Sequence, residues 1–253
     1  MSTIGLYTLT RKEIQRFMRI WSQTLLPPAI TMSLYFLIFG TFIGSQIDDL
    51  HGVSYIAFIV PGLVMMSIIT NSYSNVSSSF FGSKFQKNIE ELLVSPMPNT
   101  HVLLGFVAGG VTRGLLVGII VTIVSLLFTE LALSNIFIIL AFAILTAVAF
   151  SLAGFTNGLF AKKFDDVTIV PTFILTPLTY LGGVFYSIDV LPAIWQKVSL
   201  LNPIVYMVSG FRHGFLGFSE IPVWIGLLVL STFTVAFFLL NLYFLKKGVG
   251  LKE

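Results

Sequence analysis

The chain has no cysteine and only three histidines, which stand far apart with no ligand-like spacing. Disulfides and thiolate metal sites are thereby excluded. Charge is scarce: 10% of residues are Asp, Glu, Lys or Arg, against 56% hydrophobic. No Gly-x-x-x-x-Gly-Lys-[Ser/Thr] occurs. The nearest approach, Gly82-Ser83-Lys84, lacks the glycine-rich loop whose amides wrap phosphate, so ATP is not bound by that route. Carboxylates and histidines are missing from the middle of the apolar stretches, and Glu130 stands at an outer end. Proton- and sodium-driven carriers commonly need such groups, and a membrane enzyme needs a recessed acid, base or nucleophile. Neither set is present.

What is present is a series of long apolar runs: 25–44, 55–81, 102–128, 136–161, 167–185 and 222–245. Each matches the ~20 helical residues that cross a hydrocarbon core of about 30 Å. The expected fold is an all-α polytopic membrane protein, a single transmembrane domain over 1–253 with six transmembrane helices. A cleaved signal peptide is not expected, because the first run is long enough to span and lacks a small-residue cleavage site.

Basic residues alternate between the gaps. Arg11, Lys12, Arg16 and Arg19 precede the first run, Lys84 and Lys87 follow the second, Lys162 and Lys163 the fourth, and Lys246, Lys247 and Lys252 the sixth. The gaps around Asp48 and Asp49 and around Glu130 and Asn135 hold no Lys or Arg. The positive-inside rule puts the basic gaps, and both termini, in the cytoplasm. The formal charge of +3 is dispersed over four segments, so no nucleic-acid surface is expected.

Before the first run, Ile14, Phe17, Met18 and Trp21 share one helical face opposite Lys12, Gln15, Arg16 and Arg19. The spacing predicts an amphipathic interfacial helix over 1–23, in contact with membrane lipid and serving either as an anchor or as a partner surface. Ser67, Asn71, Ser74, Asn75 and Ser78 line one side of the second run and suit either a wet pathway or packing between helices. Gly110, Gly114 and Gly118 predict a close helix contact, and Arg113 is expected to snorkel to the interface. The fifth run carries Thr168, Thr172, Thr176 and Thr179, ends at Tyr180 and its neighbours, and is interrupted by Pro171 and Pro177. Its freed carbonyls need other partners, which suits a cavity-lining helix or a structural kink.

Segment 186–221 is too apolar for a solvated loop. Leu191 to Leu200 and Ile204 to Phe215 predict two short helices joined at Asn202-Pro203, a re-entrant outer hairpin on which Asp189, Lys197, Arg212, His213 and Glu220 face solvent or one another. Segment 82–101 is read as cytoplasmic. In it, Asn88 to Pro98 combines a short helix with exposed leucines, acidic residues and a proline stop, a form that docks in a partner's groove. From these residues alone, a passive channel or scaffold remains a second reading.

Glu91-Leu92-Leu93-Val94-Ser95-Pro96 followed by Leu103-Leu104-Gly105 resembles the coupling segment of ABC-2-type transporter permeases. Gly182-Gly183-Val184-Phe185-Tyr186, Leu191-Pro192, Trp195 and Leu201-Asn202-Pro203-Ile204-Val205-Tyr206 with Gly210 and Arg212 are similar to that family's outer signature region. Two positions depart from the pattern: Ser187 where proline is frequent, and Phe106 where lysine is common. The resemblance implies the membrane subunit of a bacterial ABC exporter with a type V, G-subfamily-like fold, set in the inner membrane. It implies pairing with a second copy and with two separate ATPase subunits, which bind the ATP and Mg that this chain does not, and export of drugs, lipids or lipid-linked glycans. It also implies residue roles. Glu90, Glu91, Leu92, Leu93, Ser95 and Pro96, with Arg16 and Arg19, would couple to the ATPase. The second and fifth runs, including Tyr180, would line the route, and Gly182, Gly183, Phe185, Tyr186, Asn202 and Pro203 would form an outer gate.

Overall fold

The computed structural model describes residues 2–47, 49–50 and 52–251; Asp48 and Lys252, read above as topology markers, lie outside the described residues. The protein is helical throughout, and among the described residues the sole non-helical pairing is an isolated bridge between Leu50 and Val53. Helix α1 is Ser2–Arg19, and α2 is Trp21–Ile43. Then follow α3 (Tyr55–Phe85), α4 (Asn88–Val94), α5 (Asn99–Ser125) and α6 (Ile136–Phe160). Helix α7 covers 164–180, α8 is Ala193–Ser199, α9 is Pro203–Leu216 and α10 is Val223–Lys247. Five of these, α2, α3, α5, α6 and α10, are long and apolar enough to cross a membrane.

The stretch expected as a helix over 167–185 ends instead at Tyr180, so α7 is about 25 Å long by helical rise. The helix stops because Gly183 takes a left-handed backbone (φ +70°), and because a side chain at Gly182 would run into Ile204. Pro171 introduces a π turn over Pro171–Leu175. Lacking an N–H, Pro171 leaves the Val167 carbonyl free, and Asn157 Nδ2 donates to it at 3.1 Å.

Helix α3 is the axis of the bundle, with 83% of its apolar window buried. It is sandwiched by α5 on one side and α6 on the other. The expected close contact of the glycine stripe is present. A side chain at Gly114 would collide with Ser72 of α3, and one at Gly118 with Ile68. The two main clusters of core side chains lie along this axis, one built on Phe58, Leu63 and Phe142 and the other on Phe80, Phe106 and Phe155. Phe106, a departure from the family pattern, is fully buried edge-on against Phe80 at 5.3 Å between centroids.

Candidate functional site

Two polar joints tie the bundle together, one near each end of α3. At the joint near the N-terminal helix, Leu9, Glu13 and Phe17 of α1 form the buried stripe, four residues apart. Phe17 and Glu13 are fully enclosed, whereas Met18 and Trp21, expected on the apolar face, are about half exposed. The stripe is displaced because α5 offers small residues for it to enter: Leu9 lies against Gly105, and the Glu13 stem lies against Gly109.

The Glu13 carboxylate accepts a hydrogen bond from Ser79 of α3 and pairs with Arg16 at 3.4 Å. Arg16, expected on the polar face, turns inward: its Nη2 donates to the Asn75 carbonyl at 3.0 Å and to Asn75 Oδ1 at 2.8 Å. Arg113 does not snorkel either. It donates to Asn71 Oδ1 at 3.2 Å and to the Thr24 carbonyl at 3.4 Å. Buried acceptors inside the bundle hold these guanidinium groups in preference to the interface. The joint therefore contains two arginines and one carboxylate, and it connects α1, α2, α3 and α5.

These contacts settle where the polar side of α3 lies. Ser67, Asn71 and Asn75 are buried within a single copy, and Ser67 donates to the Leu63 carbonyl of its own helix. Ser74 is partly buried and Ser78 exposed. The uncovered strip of α3 is Met66, Thr70, Ser74 and Ser78, four residues apart, with Thr70 and Ser78 exposed and bonded back to their own helix. On α7, Thr168, Thr172 and Tyr180 are exposed, Thr176 is partly covered and Thr179 is buried, donating to the Leu175 carbonyl.

The outer joint centres on Arg212 of α9. Expected to face either solvent or its charged neighbours, this residue is 1% exposed and takes the second course. Its Nη2 donates to the Gly183 carbonyl at 2.6 Å and its Nε to the Phe58 carbonyl at 3.3 Å; the guanidinium lies 3.8 Å over the Phe58 ring and pairs with Glu220 at 3.5 Å. Burial lowers the Arg212 guanidinium to about 10, opposed by Glu220, so it stays cationic at neutral pH.

Asn202 caps α9 through the Ile204 amide, ahead of Pro203 in the first turn, and donates to the Leu178 carbonyl at 2.7 Å. Val184 lies against Gly62 of α3, and the Phe185 carbonyl accepts from Tyr55 Oη at 2.9 Å. Tyr35 and Tyr180 meet hydroxyl to hydroxyl at 3.2 Å beside Phe185 and Phe39. The structure thus brings Gly182, Gly183, Phe185, Tyr186, Asn202 and Pro203 into one assembly at the end of α3 away from Glu13.

Helix α4 is pinned by buried Ile89, while Glu90, Glu91, Val94 and Pro96 are exposed and Leu92, Leu93 and Ser95 half-buried. Ser95 Oγ donates to the Leu92 carbonyl at 2.7 Å, closing the helix end. Arg19 is exposed at the end of α1. Sequence reasoning missed Glu13 and Asn241. The first was signalled by a carboxylate in register with Leu9 and Phe17. The second was signalled by a lone amide in an apolar helix; it donates to the Leu152 carbonyl at 3.0 Å and accepts from Thr156 at 2.9 Å.

A helical bundle with five helices long enough to cross a membrane, a short exposed helix between two of them and a stapled turn at one end is the architecture of a polytopic membrane protein. The family model for the ABC-2 type transporter matches residues 5–216, and the chain belongs to that family. It is 59% identical over 250 residues to the inner membrane transport permease YadH of Escherichia coli K12, covering 99% of this chain and 98% of that protein. Nodulation protein J of Rhizobium leguminosarum bv. viciae is 23% identical over 215 residues, covering 85% of this chain and 83% of that protein. The corresponding protein of Rhizobium meliloti is 24% identical over 215 residues. The chain is accordingly a membrane transport permease, a component of a transporter.

Proposed function

We propose that this chain is the membrane-spanning half of an ATP-driven exporter in the bacterial inner membrane, paired with a second copy of itself and with two separate ATPase subunits that bind ATP and Mg. In this reading α7 and the 181–186 turn complete a sixth crossing, both termini are cytoplasmic, and the 186–221 segment is a re-entrant outer hairpin. The location agrees with the printed name of the relative from Escherichia coli. The cargo is an amphipathic molecule of the drug, lipid or lipid-linked glycan class, moved by alternating access.

The observation that carries the reading is α4. A helix of seven residues, pinned at Ile89 between two crossings, presents Glu90, Glu91 and a Val94 that is 87% exposed. It has no phosphate loop behind it, so its exposed face is a lever for a partner's motion. With Arg16 turned onto Asn75, Glu90, Glu91, Val94 and Arg19 remain as the ATPase-facing set. Replacing exposed Glu91 with arginine lowers cargo-stimulated ATP hydrolysis of the assembled transporter by about fivefold to a hundredfold, the range of one coupling interaction, while the ATPase still co-purifies. Wild-type stimulation in that variant rejects α4 as the coupling element.

The second copy is assigned to the strip Met66, Thr70, Ser74 and Ser78, the uncovered part of an otherwise enclosed helix, together with the exposed side of α7. Because the chain lacks cysteine, single cysteines report cleanly. Oxidising membranes that contain Thr70→Cys yields a covalent dimer, since Cα atoms within about 7 Å can be bridged. Leu239→Cys, on exposed α10, yields none. The reverse pattern moves the pairing surface to α10.

A further inference from the structure

An apolar cleft of about 410 Å³ lies on the flank of the bundle, between α7 and α10. Ala149 and Ala153 of α6 form its floor, Ile174 and Leu178 of α7 one wall, and Phe233 and Phe237 of α10 the other. The floor is deep because alanines stand where larger side chains would close the gap. A dry apolar cavity of ~150 Å³ accepts benzene, so this one has room for a hydrocarbon chain of roughly 16 carbons. Three polar side chains interrupt the lining: Thr156 and Asn157, both hydrogen-bonded within the bundle, and Tyr73, which is 1% exposed beside Asn157.

One end of the cleft is marked by charge. Phe160, which lines that end, meets Phe244 edge-on at 5.1 Å between centroids. Two and three residues beyond each ring stand exposed lysines, Lys162 and Lys163 after α6 and Lys246 and Lys247 at the end of α10. The tail brings the two pairs together: Gly250 lies against the Leu159 carbonyl, with no space for a side chain. Lys84 adds a further cation there, donating to the Leu159 and Ala161 carbonyls at 2.7 and 2.9 Å. The neighbouring acids are Asp165 and Asp166, and Asp166 is engaged by the Lys162 and Lys163 amides. The balance is positive.

We propose that this cleft is a binding site for one anionic phospholipid. An acyl chain fills the space between α7 and α10, and the phosphate headgroup lies between the Lys162–Lys163 and Lys246–Lys247 pairs. Apolar walls that face the bilayer select hydrocarbon, and a basic rim at the end of the crossing selects the headgroup. The site opens between α7 and α10, on the α10 side of α7, and is independent of what the transporter carries. By filling the gap, the chain would hold α7 against the α6–α10 pair, since an unfilled gap leaves the wall atoms without dispersion partners.

The test uses the full chain, extracted in mild detergent from vesicles of phosphatidylethanolamine and phosphatidylglycerol and weighed intact by native mass spectrometry. Wild type retains one phosphatidylglycerol per chain, enriched about tenfold over the bulk ratio. Ala153→Phe and Ala149→Leu, which fill the floor, lose the retained lipid while remaining helical and monodisperse. The quadruple variant K162Q/K163Q/K246Q/K247Q alters only exposed side chains, and it retains lipid with the phosphatidylglycerol preference abolished. Retention that mirrors the bulk ratio in wild type, or that persists unchanged in the filled or the lysine-free variants, overturns the proposal.

Discussion

Replacing Arg212 with methionine lowers the stability of the folded protein by about 3–5 kcal/mol, because Glu220 is left buried without its counter-charge. For a chain of this length, that corresponds to a fall of roughly 10 °C in the unfolding temperature. The ion pair is only part of the loss. The Gly183 carbonyl forfeits a charge-assisted bond of 2.6 Å, the Phe58 carbonyl loses a second donor, and the Phe58 ring loses the cation above it. Arg212→Lys recovers little, since an ammonium cannot reach both carbonyls in the fixed geometry of a guanidinium fork. Adding Glu220→Gln to Arg212→Met restores a large part of the loss, because the orphaned charge is then gone. Thermal unfolding of the purified variants checks the series. An unfolding temperature for Arg212→Met within about a degree of wild type would show that the outer turn is held by its apolar contacts alone, chiefly Val184 against Gly62.

The five long apolar helices were legible because about twenty apolar residues in a row have few alternatives in water or lipid. The same holds for the glycine stripe at Gly114 and Gly118 and for the break at Asn202-Pro203, where a cap and a first-turn proline act through local chemistry. Burial on α3 was less legible. Asn71 and Asn75 share a helical side with Ser67, which suits an aqueous route and a protein interior equally, and periodicity cannot separate the two. The deciding groups were Arg16 and Arg113, whose partners lie 59 and 42 residues away in sequence. Arg212 and Glu220 were singled out together, but solvation is the commoner fate of such charges. Their burial depends on the turn at Gly183, whose effect on the end of α7 is a tertiary matter. Nor did helical spacing on α1 identify the inward face. Ile14, Phe17, Met18 and Trp21 form a valid apolar side, yet the glycines of α5 admit Leu9, Glu13 and Phe17.

That inward carboxylate carries the other large expected effect. In Glu13→Ala, Ser79 loses its acceptor, and Arg16 stays beside Asn75 with no counter-charge and with Arg113 nearby. Because the stranded Arg16 side chain is about a third exposed, the loss is smaller than for a fully buried pair, about 1–3 kcal/mol. Burial of Phe17 and Leu9, at ~1.5–3 kcal/mol each, is what still holds α1 in place. The two magnitudes are comparable, so α1 detaches part of the time while the crossings remain folded, a local opening of the kind that spans the range below global stability. An opening free energy lowered by ~2 kcal/mol raises the open population, and with it cleavage by trypsin at Arg11, Lys12 and Arg19, roughly thirtyfold. Glu13→Gln falls between, keeping an acceptor for Ser79 while losing the attraction to Arg16. The double change Glu13→Gln with Arg16→Gln costs less than the sum of its parts, because neither charge is then stranded. Cleavage after Arg19 at the wild-type rate in Glu13→Ala would mean that Phe17 and Leu9 alone seat the helix. The proposed transport cycle would feel this joint directly. Through Arg16–Asn75, any displacement of α1 by a partner reaches α3, the helix whose uncovered strip is assigned to the second copy.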